Sequence, residues 1–182
     1  MNFSNPFTLV GLTLTLVGIG LIGGSFGCSR NPPLDDIVAA RSDFGLLMWK
    51  ADVAGDFTRE EWHDFDEAVK ELKYTIMASG EASGSDGVRD ALLQKIDGKS
   101  VRQVLALGLG DRLRRLTKDR DDLTGYLAHN QRLRTKEGDN ASADYLDNVR
   151  DQQAKRLELL NEQIDAVKKV LLRRGIVVVP GA

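Results

Sequence analysis

VRQVLALGLGDRLRRLTKDRDDLTGYLAHNQRLR, residues 101–134, and ASADYLDNVRDQQAKRLELLNEQIDAVKKVLLRR, residues 141–174, decide the fold. In the first stretch Leu109, Leu113, Leu116, Leu123 and Leu127 follow alternating steps of four and three, interrupted at Arg120. The second keeps the same rhythm with Leu157, Leu160, Ile164, Val167 and Leu171. A repeat averaging 3.5 residues is a coiled-coil seam. Lys136-Glu137-Gly138-Asp139-Asn140, between the two, has the composition of a turn. The pair therefore predicts an antiparallel helical hairpin with arms on the order of 50 Å, at 1.5 Å per residue. Near the turn the seam becomes polar, at Asn130, Arg150 and Gln153. The tip is expected to be looser and more hydrated than the base.

Immediately before the first arm stands Gly98-Lys99-Ser100, the ending of a phosphate-binding P-loop. Such a loop needs another glycine five residues earlier, after a strand. Position 93 is Leu and no strand precedes it. Each residue has a structural role instead: Gly98 ends one helix in a left-handed conformation, and Ser100-x-x-Gln103 is a capping box that opens the next. Further upstream, apolar residues recur three and four apart and strand-like alternation is almost absent. A first helix is expected over 34–53, with Ile37, Val38, Phe44, Leu47 and Met48 as its stripe. The capping box Thr58-x-x-Glu61 opens a second, over 59–78, with Trp62, Phe65, Val69, Leu72 and Ile76 on one face. Residues 79–87 are loop-like, and a short third helix carries Val88, Leu92, Leu93 and Ile96. The fold class is all-α, with short helices packed on the base of the hairpin, because an isolated hairpin buries too little surface.

The N-terminal end is of another kind. Phe7–Gly27 is 21 residues without a charge, followed by Cys28, the only cysteine. Leu9–Val17 is a good apolar core for an export signal, and small residues lead up to Cys28. A lone thiol makes no internal disulfide, so the cysteine needs another use. Gly27-Cys28 resembles the cleavage site of bacterial lipoproteins, which implies lipidation of Cys28 as the mature N-terminus. Two other readings stay open: an uncleaved membrane helix, since about 20 apolar residues span a bilayer core, and a plain cleaved signal. Asn31-Pro32-Pro33 reads as an extended tether. The expected organisation is a signal or anchor at 1–27, lipidated Cys28 and tether to 33, a helical domain at 34–175 and an extended tail at 176–182.

A second stretch carries a resemblance of its own. Phe65-x-x-Ala68, Leu72, Leu92 and then Ile96-Asp97-Gly98-Lys99-Ser100 resemble a group of small bacterial lipoproteins of unknown function. In that group a Phe-x-x-Ala helix leads to Leu-x-Gly-Lys-Thr. Ile96 stands here for Leu and Ser100 for Thr, both conservative of contact and cap. The resemblance implies a lipoprotein and brings no activity with it.

Candidate chemistry is sparse. His63 and Glu67 are four apart on one helical face, a spacing that can supply two metal ligands but not a complete site. The surrounding acids, Asp64 and Asp66, read as a solvated face, and Lys118–Asp122 as a surface charge run. No nucleophile motif marks a Ser-His-Asp triad, so no catalytic residue and no cofactor is expected. Charge is balanced, with 25 Lys plus Arg against 27 Asp plus Glu, and leaves no nucleic-acid footprint. Ile176-Val177-Val178-Val179 favours extended structure, as a tail laid on the helices or a strand offered to a partner. The function expected is that of a non-enzymatic protein of the bacterial cell envelope. It would be held at a membrane by the lipid or the N-terminal helix, with an envelope partner or a second copy bound by the hairpin. The alternative is a small-ligand or metal-binding lipoprotein using His63.

Overall fold

Helix starts in this chain sit where side chains can satisfy the free N–H groups of a first turn. The computed structural model describes residues 33–133 and 140–177, and among them are five α-helices. They are α1 (Asp43–Asp52), α2 (Arg59–Ser79), α3 (Gly84–Ile96), α4 (Val101–Asn130) and α5 (Asn140–Arg173). Ser42 caps α1 by accepting from the Gly45 N–H at 3.0 Å. Thr58 with Glu61 and Ser100 with Gln103 both form complete capping boxes. Gly80 and Gly98 end the preceding helices with φ of 71° each, the left-handed turn in which a Cβ is strained. The all-α class and the antiparallel hairpin of α4 and α5 are as the heptad rhythm requires.

α4 is the central element, with α2 on one side and α5 on the other, while α3 packs on α2. The α2–α4 crossing has one decisive point. A Cβ built on Gly108 would stand 2.2 Å from the Ala68 carbonyl oxygen, so the two backbones meet there and only glycine fits. Ala68 is the last residue of the Phe-x-x-Ala motif, and its small side chain together with Gly108 sets the helix spacing. Around the crossing Phe65, Leu72, Ile76, Val104 and Leu105 are fully or almost fully buried. At its foot lies an aromatic cluster: Trp49 approaches Phe65 at 5.5 Å, and Phe57 approaches Trp62 at 4.7 Å, between ring centroids. Such pairs add about 0.5–1.5 kcal/mol each beyond their burial. They fasten α1 to α2.

The first helix differs from expectation. It covers Asp43–Asp52 and not 34–53; a 3₁₀ turn at Pro33–Asp35 and an extended strap precede it. Along the strap Val38 and Ala40 are buried while Ile37 and Ala39 are exposed, a period of two. Its backbone bonds go to the turn between α3 and α4. Val38 N–H donates to the Lys99 carbonyl at 2.8 Å, Gly98 N–H to the Val38 carbonyl at 2.9 Å, and Val101 N–H to the Asp36 carbonyl at 2.9 Å. The Asp97 carboxylate accepts from the Ala40 N–H at 2.8 Å. Partners outside the segment thus outcompete helix formation, and Ser42 fixes where the helix can begin. The expected stripe fails with it: of its five residues only Val38 is buried.

One further boundary moves: residues 84–87, read as loop, are the first turn of α3. Of the tail at 176–182 only Ile176 and Val177 are described, and a helix stop precedes them. Gly175, with φ 63°, lets Ile176 N–H donate to the Leu171 carbonyl at 2.9 Å and Gly175 N–H to the Leu172 carbonyl at 3.0 Å. That is a Schellman closure, and Ile176 is buried as its apolar contact. Val178–Ala182 lie outside the described residues, as do 136–139 of the expected turn.

Candidate functional site at the hairpin and the acidic face of α2

The acids of α2 do not form a solvated face. Asp64 is buried, and the Arg174 Nη2 donates to it at 2.7 Å. Arg173 reaches Asp64 at 3.2 Å and also bonds Glu60, while Arg174 reaches Glu61 at 3.1 Å. One turn further, Glu67 accepts from Arg112 at 2.9 Å and from Lys70 at 2.7 Å. Beyond that, buried Glu71 takes a two-pronged bond from Arg115, at 2.7 and 2.8 Å, whose guanidinium also lies 5.0 Å from the Tyr74 ring. A spacing of three and four places these carboxylates in one row on α2. The arginines come from α4 and from the C-terminal end of α5. The row locks the hairpin base to α2.

Titration of the row follows from its contacts. Burial works against the charge of Glu61, but the Thr58 backbone N–H, the Thr58 hydroxyl and the Arg174 guanidinium outweigh it and hold the carboxyl below its ordinary value. The Lys70 ammonium, aided by Arg112 and against partial burial, holds Glu67 low as well. Glu71 in turn keeps the Arg115 guanidinium charged to higher pH against burial. Glu61, Glu67 and Arg115 therefore stay ionised throughout the neutral range.

His63, the expected metal contributor, is exposed, and its intended companion Glu67 is already engaged by two cations. The described residues hold no group of three or more His, Cys, Asp or Glu placed for a metal. Gly98-Lys99-Ser100 likewise has its donors committed: Gly98 and Val101 to the strap, and Gln103 N–H to the Ser100 hydroxyl at 3.2 Å. In the charge run, Lys118 pairs with Asp122 at 2.7 Å and Arg120 with Asp121. Cys28 lies outside the described residues, and so does the whole apolar segment before it. Among the described residues no helix is long and apolar enough to cross a membrane.

The hairpin divides at its middle. Leu116 is the last buried apolar residue of α4, and among the described side chains of α5 burial is confined to Leu160, Ile164, Val167 and Leu171, in the half toward the base. The distal halves of α4 and α5 make no comparable seam. At the far end Asn130 is buried and donates to Gln153 at 3.2 Å. The Arg150 guanidinium donates to the Asn130 carbonyl at 3.0 Å and the Leu133 carbonyl at 3.2 Å, closing the C-terminal end of α4. A cation there also suits the helix dipole. The expected polar seam is real, but its three residues bond one another and do not simply face water.

Between base and tip two open hollows lie against the α4–α5 pair. The larger, about 680 Å³, is lined by Leu127, Ala154 and Leu157 together with Asp151, Glu158 and Glu162. The smaller, about 260 Å³, lies by Leu123, Tyr126 and Val149. Apolar walls with exposed carboxylates at the margin can accept a side of another helix. Neither hollow touches His63. Sequence reasoning missed the Asp64–Arg174 pair, the strap and the Gly108 contact. A signal for the first existed, since Arg173-Arg174 follows closely on the last seam residue; for the strap none did, because Ile37-Val38-Ala39-Ala40 is apolar throughout. Comparison with protein-family models, with curated proteins and with solved structures finds no match to this chain.

Proposed function

We propose that this is a membrane-anchored protein of the bacterial envelope, held by a lipid on Cys28, whose hairpin is presented to a protein partner. The observation that carries the reading is the division of the hairpin: a base sealed by α2 and the arginine row, and a distal half whose flanks are open. A helix pair that served only the core would gain by burying its full length. The apolar Phe7–Gly27 segment, Cys28 and the proline tether support the anchor, and the likeness around Phe65 and Gly98-Lys99-Ser100 supports the lipoprotein assignment. The protein has no catalytic role in this reading.

Two measurements test it. The intact mass of protein recovered from membranes separates lipidated Cys28 from an uncleaved N-terminus and from simple cleavage. A photo-crosslinking residue at Glu158 is expected to capture a specific envelope protein or a second copy, and Asp151→Arg with Glu162→Arg, the other carboxylates of the same hollow, to abolish that capture. Monomeric protein with nothing captured at Glu158 contradicts the partner role. The ligand-binding alternative loses its metal form if titration leaves the melting temperature unchanged in both the unaltered protein and His63→Ala.

A further inference from the structure

α1 turns its apolar residues outward. Phe44 is 70% exposed, Leu47 64% and Met48 45%, three neighbours on one helical face by their spacing of three and four. The opposite face is fully used, with Trp49 in the aromatic cluster. Burial in the domain therefore does not explain them, and their position in the molecule offers an explanation. The strap joins Pro33 to α1 and is bonded along its length to the turn that begins α4, and Asp35 pairs with Arg102 at 3.2 Å. α1 thus sits at the base of the hairpin, at the end where the chain enters the domain. From Cys28 to Pro33 is five residues, which reach at most about 18 Å when extended. An anchor at Cys28 holds this end within that distance of the bilayer. The hairpin tip lies at the far end of helices that run about 45–50 Å.

We infer that the Phe44–Leu47–Met48 face of α1 rests in the lipid interface and sets the domain upright on the membrane. This rests on the anchored reading proposed above. Three apolar side chains are too few to hold a free protein on a bilayer, but a tether converts the contact into an intramolecular one at high effective concentration. An interfacial helix buries its apolar side to the depth of the headgroup boundary and favours cations beside it. Arg41 stands just before the first turn; its side chain lies 3.9 Å from Asp97 but is 93% exposed, which leaves it within reach of anionic headgroups.

The test uses the full-length protein in phosphatidylethanolamine–phosphatidylglycerol vesicles, with an environment-sensitive fluorophore at Leu47→Cys or, as the distal control, at Tyr145→Cys. Tyr145 is 68% exposed near the tip. The label at position 47 is expected to shift to the blue and to be quenched by spin-labelled lipid, and the label at position 145 to do neither. Adding Phe44→Glu returns the position-47 emission toward its value in water while leaving the melting temperature unchanged. Equal behaviour at both positions overturns the inference. So does a blue shift at position 47 without vesicles, which would mean that a second copy or the N-terminal segment covers α1. The anchor is read separately, by intact mass: an unmodified Cys28 on an uncleaved chain overturns lipidation alone, and both labelled variants then carry Cys28→Ser so that the same comparison still decides on α1, whereas cleavage without a lipid removes the anchor and overturns the inference with it.

Discussion

The base and the distal half of the hairpin are built from one heptad rhythm and end in different states. At the base, Leu109, Leu116, Leu160, Ile164, Val167 and Leu171 are buried, because α2 covers α4 and arginines from both arms reach the acids of α2. In the distal half Leu123, Leu127 and Leu157 keep the rhythm but are only half-buried. A two-helix seam cannot enclose its own side chains; a third element is what completes the burial. The difference teaches that heptad spacing predicts pairing, while packing depends on what lies behind the pair.

The largest expected effect is at the base. Asp64→Ala removes the buried acceptor of half-buried Arg174 and leaves it only Glu61, so the loss is expected at about 3 kcal/mol, the low end for breaking a buried pair. Denaturant unfolding of the variant reads it directly. Gly108→Ala follows: with no room beside the Ala68 backbone, α2 and α4 must move apart, for a loss of about 3 kcal/mol, the upper range of overpacking. An Ala at this position with unaltered stability would mean that the crossing is wider than described. The comparison itself is sharpened by a matched pair on α5. Ile164→Ala should cost about 2–3 kcal/mol, and Leu157→Ala below about 1 kcal/mol, because the first opens a cavity and the second removes a half-exposed group.

The smallest effect is on the acid limb of stability. Glu61 and Glu67 titrate below their ordinary value of 4.5 in the folded protein. Their contribution is fully present above that value and is lost as the pH falls through the lower folded value. Melting temperature should therefore be nearly level at neutral pH and decline below about 4.5, with Glu61→Gln plus Glu67→Gln giving a shallower decline. An unchanged slope would mean that other carboxylates carry the acid response.

Local chemistry is legible in the sequence. Thr58-x-x-Glu61 and Ser100-x-x-Gln103 open their helices as spelled, and the leucines of α4 and α5 name the seam, since caps and periodicity depend on near neighbours. Two expectations fail for the opposite reason. The apolar residues around Val38 fit a helical period, yet the backbone partners of that segment lie some sixty residues away at Gly98 and Lys99. Asp64 reads as a solvated acid among its neighbours because its partner, Arg174, is farther still along the chain. Of the candidate site, the polar residues Asn130, Arg150 and Gln153 are legible as a group. Their mutual bonds, and the open flanks beside them, require the path of both helices.

Hydrogen exchange of the full-length protein tests the division of the hairpin most directly. Amides of residues 104–116 and 160–171 are expected to exchange only with global unfolding, and those of 120–128 and 145–156 to exchange faster through local opening. Equal protection along the whole length of α4 and α5 would contradict it.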